Sequence, residues 1–153
     1  MKPCEQTPFG EVRQIGLLTG DLDAFIKSFR ALYGLEPDRL ALVPVNSTQE
    51  NCERRVAYYN YPEIEIEVIE PLRSKREWHE FLERHGDSVH HLQFNVADFD
   101  GACNRILKNG CRMIERGFSI RVPEVRYIFF DTVDLLGYVT EIVNFKEIEM
   151  PGK

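Results

Sequence analysis

The chain has 153 residues, of which 43% are hydrophobic and 29% charged, and a formal net charge of −6. That balance is ordinary for a globular domain, and the acidic excess without a basic cluster argues against nucleic acid or an anionic membrane as partner. No apolar run approaches the ~18 residues of a membrane span, and the opening "MKPCEQTPFG" lacks the apolar stretch of a signal peptide.

Residues 12–18 alternate as a short strand. "GDLDAFIKSFRALYGLEP" follows, in which Asp21 can cap a helix whose stripe is Leu22, Phe25, Ile26, Phe29, Leu32 and Tyr33, closed by Gly34 and Pro37. Strands are expected near 39–45, 54–60 and 63–70. A helix near 75–85 would place Trp78, Phe81, Leu82 and His85 on one face. The order then repeats. A strand at 89–96 leads to a helix capped by Asp98, with Phe99, Ala102, Cys103, Ile106 and Leu107 inward and Gly110 at its end. Further strands fall near 112–116, 126–131 and 138–144. Cys4, Cys52, Cys103 and Cys111 form no CxxC pair and read as reduced thiols, which predicts a cytoplasmic protein.

At one constant offset Val12 falls on Val89, Asp21 on Asp98 and Asp23 on Asp100. The helix stripes Leu22, Phe25, Ile26, Phe29 and Phe99, Ala102, Cys103, Ile106 stay in step. Each half reads as a βαβββ unit with one sheet face in need of cover, so the chain is expected to be a duplication.

The duplication sorts the polar residues. Gln14 falls on His91 rather than on His90. Strand alternation puts His91, Gln93 and Asn95 on one face, and His90, Leu92, Phe94 and Val96 on the face expected to meet helices. In "PEIEIEVIEPL", Glu63, Glu65 and Glu67 share a face; in "GYVTEIVNF", Glu141 stands alone among apolar neighbours. A slightly shorter offset superposes Glu67 on Glu141. A histidine on a strand is commonly structural, and alternating glutamates commonly line a solvent face. A carboxylate between Val139 and Val143 is harder to explain, because burying it unpaired is costly. Together Gln14, Glu67, His91 and Glu141 supply one imidazole, one amide oxygen and two carboxylates, a set suited to a divalent metal with positions left open for substrate.

The stretches "VRQIGLLTGDLDAFIKSFRALYGLEP", "IEIEVIEPL", "VHHLQFNVADFDGACNRILKNGCRMI" and "IFFDTVDLLGYVTEIV" resemble the vicinal oxygen chelate superfamily over residues 11–145. The resemblance implies an α+β fold in which two paired βαβββ modules form a cupped mixed sheet around a central metal cavity. The chain would be a single domain, 1–153, with module one at about 11–72, a connecting helix at about 75–85 and module two at about 88–146. The four metal-ligand positions of the family fall on Gln14, Glu67, His91 and Glu141. This Gln/Glu/His/Glu set is similar to that of some glyoxalase I enzymes, but the glutathione-binding positions hold Leu18, Pro71 and Asp87. In outline the chain resembles methylmalonyl-CoA epimerases more. An additional catalytic Glu of some epimerases aligns near Arg55.

The resemblance therefore implies a metal-dependent epimerase or isomerase that moves a proton alpha to a carbonyl, with a 2-substituted acyl thioester or a related small carbonyl acid as substrate. Glu141 is the expected base and Glu67 its counterpart. A glyoxalase I-like lyase and a metal-free, antibiotic-binding protein are the alternatives. An extradiol dioxygenase is disfavoured because Gln14 removes one imidazole. Zn²⁺ is the expected ion, with Co²⁺, Ni²⁺ or Mn²⁺ also suited to the donors. A homodimer is implied by family habit. Arg13, Arg54, Arg55, Arg73, Lys75 and Arg76 are the basic residues on hand for a CoA tail.

Overall fold

The computed structural model describes residues 8–44, 53–72, 76–119 and 121–145. The fold is α+β. Its first module runs β1 (Phe9–Leu18), α1 (Leu22–Tyr33), β2 (Arg39–Pro44), β3 (Glu53–Asn60) and β4 (Glu65–Pro71). After α2 (Arg76–His85) the second runs β5 (Ser88–Val96), α3 (Phe99–Lys108), β6 (Arg112–Phe118), β7 (Arg126–Asp131), α4 (Val133–Leu136) and β8 (Val139–Val143). The expected βαβββ unit is thus present twice. The chain divides into two compact units, Gln14–His90 and Met1–Arg13 with His91–Lys153, so the division falls within β1 and β5.

In module one the strand order is β2-β3-β4-β1; in module two it is β5-β8-β7-β6. The first and last strands of each module are parallel, β1 with β4 and β5 with β8, and the other neighbours are antiparallel. A parallel pair needs a crossover, and the helix after the first strand supplies it.

Both helices start where the sequence says. Asp21 accepts from Ala24 N at 2.9 Å, and Asp98 accepts from Gly101 N at 2.9 Å. These bonds satisfy donors that the first helical turn leaves open. Gly101 suits its place, because a Cβ there would run into the Asp98 carboxylate. Asp21→Ala and Asp98→Ala are each expected to cost about 1 kcal/mol, read as a shift in the urea midpoint with an unchanged slope.

The apolar stripes bury as expected except at Leu32 and Tyr33 of α1 and at Leu107, in the last turn of α3, which is 41% exposed. Leu22 and Ile26 pack with Ala57, Tyr59 and Val68, joined by Leu17, Phe25, Phe29 and Ile66. Leu32 and Tyr33, expected inward, are 76% and 64% exposed. Leu32 lies at the margin of the stripe, and Tyr33 sits in the last turn against the Phe29 ring at 4.8 Å. In module two Phe99, Ala102 and Ile106 pack on Val96, Ile128, Phe130 and Ile142.

α2 covers the other face of the first sheet, where Trp78, Phe81 and Leu82 meet Leu18, Val56, Tyr58 and Ile69. Strand alternation puts Leu18 and Ile69 on the same face as Gln14 and Glu67. The helix therefore closes one end of the candidate face with apolar side chains. Other differences from expectation are local. β1 starts at Phe9, β4 starts at Glu65 so that Glu63 precedes it, and α4 is a single turn too short to carry a helical period. Cys103 and Cys111 are free thiols; Cys4 and Cys52 lie outside the described residues.

Candidate active site

The register of the two parallel pairs brings the duplicated polar residues to matching places. In module one Gln14 pairs with Glu65 and Gly16 with Glu67. In module two His91 pairs with Val139 and Gln93 with Glu141. Glu67 and Glu141 thus stand at the same position relative to Gln14 and to His91, each one alternation further along its strand pair. All four are buried: Gln14 is 3% exposed, Glu67 9%, His91 1% and Glu141 5%. Polar side chains do not occupy such places without compensation, since each gives up its water.

The compensation within module two is visible. His91 Nε2 lies 3.5 Å from Glu141 Oε2, and its ring meets Phe129 edge-on at 5.1 Å. Gln93 Nε2 donates to the same Glu141 oxygen at 2.9 Å. Phe129 is the antiparallel partner of Glu141 on β7 and gives this face an apolar side. Further along, Asn95 Nδ2 donates to Glu11 at 3.3 Å.

Within module one Gln14 Nε2 donates to Glu65 Oε1 at 2.6 Å. A carboxylate only accepts, so the amide must turn its nitrogen to Glu65 and its oxygen the other way. Oxygen is the end through which an amide holds a cation. Glu67 is flanked on β3 by Tyr58, which is 5% exposed and carries the Arg39 guanidinium 5.6 Å over its ring.

The two adjacent histidines point to opposite faces. His90 is buried against α2, with its ring centroid 4.8 Å from Phe81 and 6.1 Å from Trp78. Removal from water alone pushes its pKa down to about 4, so it is a neutral ring in the core.

Residues that sequence comparison put in doubt also find places. Leu18 is core, 1% exposed, and Pro71 is buried. Asp87 receives Thr19 Oγ1 at 2.6 Å and Gly20 N at 2.9 Å, tying the β1–α1 turn to the start of β5. None of the three offers a positive contact for glutathione. Arg55, near which a catalytic glutamate was expected to align, faces α1. Its guanidinium reaches Asp23 at 2.7 Å and Glu70 at 3.0 Å, and holds the Asp23 carboxyl below its usual range. Of the other basic residues, Arg13 contacts Glu11 and the Phe145 ring, Arg54 lies over Trp78 and Arg76 pairs with Glu80. Arg73 and Lys75 lie outside the described residues.

Glu65, Gln93 and Tyr58 were not singled out in the sequence as site residues. For Gln93 the signal was its place two residues after His91 on one face. What the sequence lacked was the β5–β8 register that sets it across from Glu141.

The chain belongs to the glyoxalase/bleomycin resistance protein/dioxygenase superfamily, whose model matches residues 13–129. Several of the solved structures it resembles are methylmalonyl-CoA epimerases. A methylmalonyl-CoA epimerase of Streptomyces coelicolor, in complex with 2-nitronate-propionyl-CoA, superposes with a TM-score of 0.67 at 25% identity, covering 94% of this chain and 99% of that one. The methylmalonyl-CoA epimerase of Mycobacterium tuberculosis gives 0.63 at 20% identity, covering 91% and 90%. A hypothetical protein of Bacillus halodurans gives 0.69 at 19% identity, covering 90% and 96%; these last two show the fold. None of the curated proteins compared with the sequence matches it. Among the described residues no helix is long and apolar enough to cross a membrane.

Among the described residues no group of three or more His, Cys, Asp or Glu is arranged to hold a metal. What each module offers is a pair. His91 and Glu141 are a buried imidazole and carboxylate at 3.5 Å, and Gln14 and Glu67 are a buried amide and carboxylate. Neutral imidazole with oxygen donors is a combination that borderline divalent ions accept. The residues fit the ion in kind, two donors to a module.

Proposed function

We propose that the protein is a divalent-metal-dependent epimerase that moves the proton alpha to the carbonyl of a 2-substituted acyl thioester. The observation that carries this reading is the duplicated buried carboxylate, Glu67 across from Gly16 and Glu141 across from Gln93, in a chain of this superfamily similar to methylmalonyl-CoA epimerases. Gln14, Glu67, His91 and Glu141 would hold the ion, Zn²⁺ in the first instance. When bound, it supplies a Lewis acid that stabilises negative charge on the substrate oxygens.

The chain's own residues do the rest. Glu141, as a carboxylate, takes the alpha proton, leaving an enolate, and Glu67, starting as the carboxylic acid, gives its own proton to the same carbon from the opposite face and ends as the carboxylate. Two carboxylates suit this chemistry because inversion requires delivery to either face. Phe129 and the apolar neighbours of Glu141 keep water away from a base whose proton must go back to carbon. His91 would serve as the imidazole donor.

A glutathione-dependent lyase has less support, because the three positions where anion contacts are expected hold a core leucine, a buried proline and a carboxylate already engaged by Thr19 and Gly20. The test is alpha-proton exchange in D₂O with methylmalonyl-CoA and shorter 2-substituted acyl thioesters, in the presence of Zn²⁺, Co²⁺, Ni²⁺ or Mn²⁺. Exchange that needs the added ion is expected. No exchange with any ion, in a protein that still binds the thioester, would move the chain to the binding-protein class.

A further inference from the structure

Each module sets one glutamine directly across from one glutamate on its parallel strand pair, but at positions that the duplication does not relate. In module one the pair is Gln14 and Glu65, and in module two it is Gln93 and Glu141. Both make a direct hydrogen bond from amide nitrogen to carboxylate oxygen, at 2.6 Å and 2.9 Å. The roles are exchanged. In module one the amide belongs to the proposed ligand set and the carboxylate is the extra residue. In module two the carboxylate belongs to the set and the amide is extra. The counterpart of Glu65 in the other module is Val139, and that of Gln93 is Gly16, so neither counterpart has a polar side chain. Each bond is therefore particular to its own module.

We propose that Glu65 and Gln93 are positioning residues, each orienting one ligand of its own module: Glu65 orients Gln14 and Gln93 orients Glu141. This rests on the metal-dependent reading above. An amide has a donating and an accepting end of equal size, and only the oxygen binds a cation. Glu65 fixes which end is which by accepting the nitrogen. A carboxylate has two like oxygens that rotate about one bond. Gln93 holds Oε2, the oxygen 3.5 Å from His91 Nε2, and so fixes the plane of the group. Partners of this sort behind a metal ligand are worth about 10–100-fold in affinity.

The test uses the full-length chain, with Co²⁺ and Zn²⁺ titrated by calorimetry, the Co²⁺ visible spectrum as a report of donor geometry, and circular dichroism as the check on folding. Glu65→Leu and Gln93→Leu are expected to weaken Co²⁺ binding by about 10–100-fold and to shift the visible bands. Glu65→Gln, which keeps an oxygen to accept the Gln14 nitrogen, is expected to restore most of the affinity and the parent spectrum. A purely structural role for Glu65 would not be rescued in the spectrum by that change. Leu variants that fold and bind Co²⁺ with parent affinity and spectrum overturn the positioning roles while leaving the metal reading intact. A parent that takes up neither ion overturns the metal reading and this inference with it. Should Gln93→Leu lose the parent circular dichroism, the two Glu65 variants decide between the outcomes by themselves.

Discussion

Glu141→Ala is expected to remove alpha-proton exchange almost entirely, lowering kcat/KM by about 10³-fold or more, because general-base catalysis contributes about 10²–10⁴-fold and the same group is a proposed ligand. Glu67→Ala should fall in the same range. The double variant should cost little beyond either single one, since residues that act on one step as a unit do not add. Metal content separates the two roles. A variant that keeps one ion per chain but loses exchange marks the missing carboxylate as a base. One that loses both marks it as a ligand first. Full exchange in Glu141→Ala would remove that residue from the mechanism. His91→Ala belongs beside these variants, as it should lose the ion while His90→Ala keeps it.

His90 gives the second large effect, and it concerns stability. Its folded pKa is about 4, against an unfolded value of about 6.5. The folded state binds fewer protons than the unfolded chain between these values, so the contribution is fully present above pH 6.5. It is lost as pH falls from 6.5 through 4. The shift corresponds to about 3 kcal/mol. Urea midpoints between pH 7 and 4 should therefore fall more steeply in the parent than in His90→Leu, which has no proton to gain. Equal slopes in the two proteins would show that His90 is not buried as a neutral ring between Trp78 and Phe81.

Much of this was legible in the sequence, because two periodicities carry it. The helical stripes and their Asp caps located α1 and α3, and alternation of two along β5 separated His90 from His91. The duplication then paired Gln14 with His91 and Glu67 with Glu141. What stayed hidden depends on contacts between strands. Nothing in "HLQFNV" or "VTEIV" alone says that Gln93 faces Glu141, since register is set by the packing of whole strands. The same holds for Arg55. Its charge drew attention as a possible site or CoA contact, yet its place on β3 sends it to Asp23 and Glu70 on the side of α1. Leu32 and Tyr33 fit the helical period and still lie exposed, because periodicity reports direction around a helix and not how far the sheet beneath it extends.

β8 is buried at all five of its positions, Val139 through Val143. Strands of this kind open to hydrogen exchange only when the whole unit unfolds. The amides of the strand that carries Glu141 should therefore be among the last to exchange. β2 at one edge of module one shows exposed Leu40 and Leu42, and β6 at one edge of module two carries exposed Phe118 and a register shift between Met113 and Glu115. Substitutions at these margins fall on strands other than those that carry Gln14, Glu67, His91 and Glu141.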